Sequence, residues 1–371
     1  MITVSTPSRI CLFGEHQDYL GLEVIAAAIN LRFYAKISRR DDNIVRIKIR
    51  DERINTLNQD NTEHLYEIKT IDLSKPITYD HNRDYLKSTV NLLLKKGYDL
   101  NGGFDIVMDS EIPIGKGMSS SSTMIIALIK SILEIIDSED KNKPEKIAML
   151  GFLAEVAEFN EPGGMMDHYT SALGELVHLN FKNGETVVNN IDKKIPGSFI
   201  LFDSMEVKNT TKVLADAKFP VLKALEELKP KGINSIRDFK DNPELISYVD
   251  ELDPVLSKKL KASIDNFMIL NEARQMLSNG GFDDEWFGDL IYRHHCNLRD
   301  GLGTSTPKIE RILDVAISAG ALGGKVNGSG GGGCCFVYTR EGDGERILEA
   351  VKKEGYPGRI LNQDNGVRRD R

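Results

Sequence analysis

Apolar positions in this chain change their spacing at the Pro196-Gly197 turn. Before it, short runs with strand-like spacing mix with helical stretches; after it, helical spacing dominates. Strands are expected at 2–4 and 10–13 around a Thr6-Pro7 break, then over Val24 to Ile29, Phe33 to Ile37 and Ile44 to Ile49. Residues 52–80 read as polar and loop-rich. Leu86, Val90, Leu93 and Leu94 predict a helix over Tyr85 to Lys96. A strand near 103–108, a glycine-rich turn and a helix to about 136 follow, then a helical stretch from Glu145 to Phe159 closed by Asn160-Glu161-Pro162-Gly163-Gly164. Strands are expected near 176–181, 186–188 and Ser198 to Phe202. Helices are expected over 212–228, 243–250, 254–278, 284–298 and 307–319, before a glycine run and a last strand, Cys334 to Tyr338. The tail Arg368-Arg369-Asp370-Arg371 reads as frayed.

The chain has 371 residues, enough for one large or two average domains, and a division at 197/198 gives domains 1–197 and 198–371. At 40% hydrophobic and 28% charged it has the composition of a globular protein. A net charge of −8 argues against general nucleic-acid affinity. The four cysteines lack Cys-x-x-Cys spacing, which disfavours a zinc site or a disulfide framework and fits a reducing cytoplasm. The first residues carry no secretory pattern, and no apolar run is long enough to span a bilayer, so no membrane partner is expected. The oligomeric state, monomer or homodimer, stays open.

Four segments carry candidate chemistry. The stretch Pro113-Ile114-Gly115-Lys116-Gly117-Met118-Ser119-Ser120-Ser121-Ser122 runs from a strand through a glycine turn into a helix. Such a turn brings backbone N–H groups and a helix N-terminus to an anion, and its hydroxyls suit a hard cation such as Mg²⁺. It is neither a Walker A motif nor Gly-x-Gly-x-x-Gly; the competing reading is a Gly/Ser linker. In Gly14-Glu15-His16-Gln17-Asp18-Tyr19, side chains suited to binding a polyol follow a strand that carries Arg9. The alternatives there are a solvated polar turn or a metal site of Glu15, His16 and Asp18. Gly164-Met165-Met166-Asp167-His168 places an acid at a helix start, where a capping role competes. The last segment, Asn327-Gly328-Ser329-Gly330-Gly331-Gly332-Gly333, suggests backbone lying close to another group, with a flexible hairpin as its rival.

In this order the segments resemble the motifs of the GHMP kinase superfamily. The serine loop is similar to its Pro-x-Gly-x-Gly-Leu-Ser-Ser-Ser motif, with Met118 at the Leu position, and residues 327–333 resemble its C-terminal Thr-Gly-Ala-Gly-x-Gly-Gly. Gly14 to Tyr19 resembles Gly-Glu-His-x-Asp-Tyr of the galactokinase branch, and Gly164 to His168 its Gly-Ile-Met-Asp-Gln. The resemblance implies a two-domain α+β fold with the active site in the cleft between the domains. It implies ATP-dependent phosphorylation of a sugar hydroxyl, the anomeric one of galactose or a relative, with Mg²⁺. By position, Asp167 matches the catalytic aspartate, acting as base or as orienter of the hydroxyl, and Arg9 its partner. Glu15, His16, Asp18, Gly164 and Asp167 match sugar contacts. Gly115, Lys116, Gly117, Met118, Ser119, Ser120 and Ser121 match the ATP loop. Ser121 and either Glu155 or Glu158 match the metal ligands.

The chain departs from the galactokinase pattern at His168, where Gln is usual, and at Phe219-Pro220-Val221-Leu222, which lacks the branch's Tyr and arginines. A uronic acid, L-arabinose, L-fucose or heptose phosphate is therefore an alternative acceptor. A mevalonate-type alcohol would not need the Glu15, His16 and Asp18 cluster. A non-catalytic sugar and nucleotide sensor is the rival from another class.

Overall fold

The computed structural model describes residues 1–50, 66–113, 115–182, 185–191, 194–207, 210–278 and 281–371. Part of the 52–80 stretch and Ile114 of the glycine loop lie outside these residues.

The chain order begins β1 (Ile2–Phe13), β2 (Val24–Arg39), β3 (Ile44–Arg50), β4 (Tyr66–Asp72), α1 (Tyr85–Lys95), β5 (Phe104–Ser110), α2 (Ser120–Ile135) and α3 (Pro144–Phe152). A π-helical turn, Leu153–Ala157, precedes α4 (Met166–Leu173), β6 (Leu176–Lys182) and β7 (Glu185–Asn190). Next come β8 (Ser198–Asp203), α5 (Thr210–Leu228), the short α6 (Asp238–Asp241) and α7 (Ile246–Val249), then α8 (Pro254–Ser278), α9 (Asp284–Cys296) and α10 (Pro307–Ser318). The chain ends with β9 (Gly323–Val326), β10 (Cys334–Thr339), α11 (Gly344–Lys353), β11 (Gly358–Leu361) and β12 (Arg368–Arg369).

Two sheets organise these elements. The larger has the order β12-β1-β2-β5-β3-β4, with β6 also paired to β2 and β7 to β6; the smaller has the order β11-β8-β10-β9. Every pairing is antiparallel except β3 with β5. Helix α2 lies on β1 and β2 and buries Ile125, Ile126, Leu128, Ile129, Ile132 and Leu133. Each such side chain contributes about 1.5–3 kcal/mol of hydrophobic stabilisation. Phe199, Phe336 and Tyr338 on one face of the smaller sheet, with Phe287 of α9, pack into the same core, while Ile200, Phe202, Cys335 and Val337 on its other face belong to a second core with residues of α5, α8 and α10.

Several expectations are corrected. The strands expected on either side of Thr6-Pro7 are one strand, because a register shift between Pro7 and Ser8 absorbs the proline that cannot donate to the ladder. The loop-rich stretch contains β4, an edge strand whose largely polar residues hid the alternation. The helix expected over 243–250 is broken into a 3₁₀ turn and α7. The tail is not frayed. Val4 pairs with Arg369, Thr3 N donates to Arg371 O at 3.1 Å, and buried Arg32 bonds Asp364 Oδ2 at 2.6 Å and Gly366 O at 2.9 Å.

Candidate active site

β1 brings Arg9 beneath the glycine loop. Ser8 Oγ donates to Met118 O at 2.6 Å, and Arg9 Nη1 donates to Gly117 O at 3.1 Å. The guanidinium then reaches Asp167 in the first turn of α4, with Nε and Nη2 both 2.7 Å from Oδ1. Both contacts fall on one carboxylate oxygen, so Oδ2 stays outside the ion pair. Burial alone would raise the Asp167 carboxyl, but the Arg9 charge, assisted by His168, outweighs it and holds the carboxyl below its ordinary value.

The glycine run after β9 closes on the same loop. Asn327 Nδ2 donates to Gly117 O at 3.1 Å, Cys11 N donates to Asn327 Oδ1 at 3.1 Å, and Cys334 N donates to Lys116 O at 2.8 Å. A Cβ on Gly328, at φ +74°, would stand 2.6 Å from Gly117 O, so only glycine permits this approach.

Arg9, Glu15, His16, Asp18, Gly115, Gly117, Ser119 to Ser121, Glu155, Gly164 and Asp167 line one cavity of about 490 Å³. The first and third segments meet at Asp18, whose Oδ2 accepts from Met166 N at 3.2 Å and whose Oδ1 accepts from Tyr19 N at 2.9 Å. A Cβ at Gly164 would lie 2.0 Å from Asp18 Oδ2. Burial, and then the neighbouring Asp167 charge, push the Asp18 carboxyl up to about 6. His16 holds a left-handed φ of 64°; its Nδ1 is 2.8 Å from Tyr19 Oη and its Nε2 3.1 Å from Ser329 O. Glu15 accepts from buried Lys325 Nζ at 2.7 Å.

Not every expected residue faces the cavity. Met118 is buried in the core, and its Sδ is 3.2 Å from Asn327 Nδ2. The Lys116 ammonium lies 3.2 Å from Asp203 Oδ1. Neither side chain lines the cavity, which leaves these two residues only their backbone for a ligand. Of the two glutamates left open, Glu155 lines the cavity. Glu158 instead accepts from Tyr79 and pairs with Lys95 at 3.5 Å. Ser121 lines the cavity, but the hydroxyl that bonds Glu155 Oε2, at 2.7 Å, is that of Ser122. Glu15, His16 and Asp18 form no metal-holding cluster; no group of three or more His, Cys, Asp or Glu does so among the described residues.

Sequence reasoning missed Arg83, Tyr85, Thr210 and Leu214, which also line the cavity, and gave Glu161, which lines it too, no role beyond the turn it sits in. Arg83 Nε bonds Glu161 Oε1 at 2.8 Å. The polar break before α1 was the only signal for Arg83, and nothing in the spacing tied it to Glu161.

Residues 84–175 match the GHMP kinases N terminal domain, residues 275–357 match GHMP kinases C terminal, and residues 2–39 match the galactokinase galactose-binding signature. The chain belongs to the GHMP kinases. Among relatives of this GHMP kinase, a galactokinase of Clostridium acetobutylicum is 28% identical over 94% of the chain and 87% of its own length. A mevalonate kinase of Thermococcus sibiricus is 26% identical over 95% of the chain and 93% of its own length. The crystal structure of Lactococcus lactis galactokinase complexed with galactose has the same fold, with a TM-score of 0.80 at 20% identity over 99% of this chain and 94% of that one. Among the described residues of this GHMP kinase, no helix is long and apolar enough to cross a membrane.

Proposed function

We propose that this GHMP kinase transfers the γ-phosphoryl group of ATP to a hydroxyl of a sugar, the anomeric hydroxyl of galactose or a related neutral sugar. One observation carries the reading. The Arg9–Asp167 pair, the glycine–serine loop and the Asp18 cluster share one cavity, and the cluster lies within the galactose-binding signature. Glu15 pairs with Lys325 and Asp167 with Arg9, so Asp18 is the acid that remains on this side of the cavity, and its charge favours a neutral polyol over a uronic acid or a heptose phosphate.

The donor set fits Mg²⁺. Glu155 and the hydroxyl of Ser121 are hard oxygen donors on the cavity wall, and phosphate oxygens and water would supply the remaining positions. When bound, the ion supplies neutralisation of phosphate charge. The N–H groups at the start of α2 and in the glycine turn hold the phosphate chain. Asp167 Oδ2 orients the acceptor hydroxyl or takes its proton. Arg9 keeps that carboxyl ionised and stabilises charge on the transferring group. Asp18 grips the sugar hydroxyls, and His16, whose two ring nitrogens are held by Tyr19 and Ser329, forms the wall beside it.

A mevalonate-type acceptor is the second reading, favoured by the near-equal identity of the mevalonate kinase relative. The test is ADP release from Mg-ATP by the purified protein. The acceptors are galactose, L-arabinose, L-fucose, galacturonate, glucuronate, heptose phosphates and mevalonate, with Asp167→Ala as control. Asp167-dependent turnover on a neutral sugar supports the proposal. Turnover on mevalonate alone establishes the second reading, and silence throughout with ATP bound favours a sensor.

A further inference from the structure

His168 stands next to Asp167, yet its side chain turns toward Glu155. Its Nε2 lies 2.8 Å from Glu155 Oε2, the oxygen that also accepts from Ser122 Oγ at 2.7 Å. A carboxylate only accepts, so Nε2 carries the proton and donates. Two donors thus converge on one oxygen, and neither addresses Oε1. The ring is closely packed. Phe152 meets it edge-on at 6.0 Å, and a Cβ on Gly151 would come within 3.0 Å of its Cδ2. Both partners are buried, with side chains 2% and 7% exposed. Glu155 itself sits in the π-helical turn Leu153–Ala157, an irregularity often found where a helix must aim a functional side chain.

We propose that His168 is a positioning residue for the metal. Together with Ser122 it pins Glu155 Oε2 so that Oε1 is presented to the cation. This rests on the proposed reading of Glu155 as a ligand of the Mg²⁺ that accompanies ATP. It also gives a role to the one position of Gly164 to His168 at which the chain leaves the galactokinase pattern in a polar group. Partners that orient a ligating side chain typically change metal affinity by about 10- to 100-fold when removed.

The experiment is calorimetric titration of ATP into the full chain with and without Mg²⁺, together with the Mg²⁺ concentration that half-saturates the ATP complex. His168→Leu is expected to raise that concentration about 10-fold or more, while ATP binding in EDTA is unchanged. His168→Gln, which keeps an N–H donor of similar reach, is expected to recover most of the loss. The proposal is overturned if His168→Leu keeps the parent Mg²⁺ dependence. It is equally overturned if ATP binding falls by the same factor with and without Mg²⁺, or if Gln is no better than Leu. Glu155→Gln separates the two levels. If Glu155→Gln also leaves the Mg²⁺ dependence unchanged, the metal reading itself fails; if it shifts the dependence and His168→Leu does not, only the role of His168 fails. Should His168→Leu not fold, Ser122→Ala removes the other donor to the same oxygen. A shift in the same direction then supports the proposal, and an unchanged Mg²⁺ dependence overturns it.

Discussion

Replacing Lys325 by Met should destabilise this protein far more than a conservative core substitution does. Lys325 is completely buried and faces a carboxylate there. Its Nζ donates to Glu15 Oε2 at 2.7 Å and to Cys11 O at 2.8 Å, and it lies 5.2 Å from the centre of the Phe336 ring. Methionine keeps most of the aliphatic packing and removes the charge. Glu15, only 3% exposed at its side chain, is then left as a buried anion without its cation. Breaking a buried pair in this way costs about 3–5 kcal/mol, and the abandoned Cys11 carbonyl adds about 1 kcal/mol. A typical domain is stable by only about 5–15 kcal/mol, so the loss is a large fraction of the total. Adding Glu15→Gln removes the orphan charge and should return roughly 1–3 kcal/mol. Urea unfolding followed by far-UV circular dichroism measures both changes, provided the denaturant slope is common to the variants. A loss below about 1 kcal/mol for Lys325→Met, or a double variant no more stable than the single, would show that the pair does not hold Glu15 as argued.

Four further outcomes are expected. Arg9→Met should lower turnover roughly 100-fold with a smaller change in the acceptor KM, because its charge acts mainly in the transition state; steady-state kinetics with unchanged turnover would contradict this. Asp18, pushed up to about 6, should lose its accepting capacity as pH falls through that value. The acceptor KM should then rise below about pH 6, and Asp18→Asn should abolish that dependence. Buried Glu23 opposes its own desolvation with His178, Arg237 and Arg274, which lower its carboxyl to about 2. A depressed acid contributes stability that is full above its unfolded value of about 4.5 and fades as pH falls toward 2. Glu23→Gln should therefore cost about 2–3 kcal/mol at neutral pH and flatten the acid limb of the melting temperature against pH, where a parallel shift would refute the network. Gly164→Ala would set a methyl 2.0 Å from Asp18 Oδ2, so the acceptor KM should rise at least several-fold while ATP affinity measured by calorimetry stays constant.

The amino-acid sequence alone determined most of the local elements and singled out segments that the fold brings to one cavity. The spacing of Leu86, Val90 and Leu93 marks α1, and the glycine–serine turn marks the start of α2, because helical periodicity and turn chemistry are properties of neighbouring residues. Arg9, Asp18 and Asp167 became candidates through the resemblance of their segments to family motifs, since by residue type alone a helix cap or a solvated turn competed. Only the tertiary structure decided which side chains meet. Lys325 finds Glu15 across more than 300 positions, Ser122 rather than Ser121 bonds Glu155, and Lys116 turns to Asp203 and away from the cavity. It also joined β1 across Pro7 and returned the charged tail to β1 as an added strand. Spacing carries no record of such partners. They follow from how α2, the π-helical turn and β9 pack around β1, and that packing is set by burial summed over the whole chain.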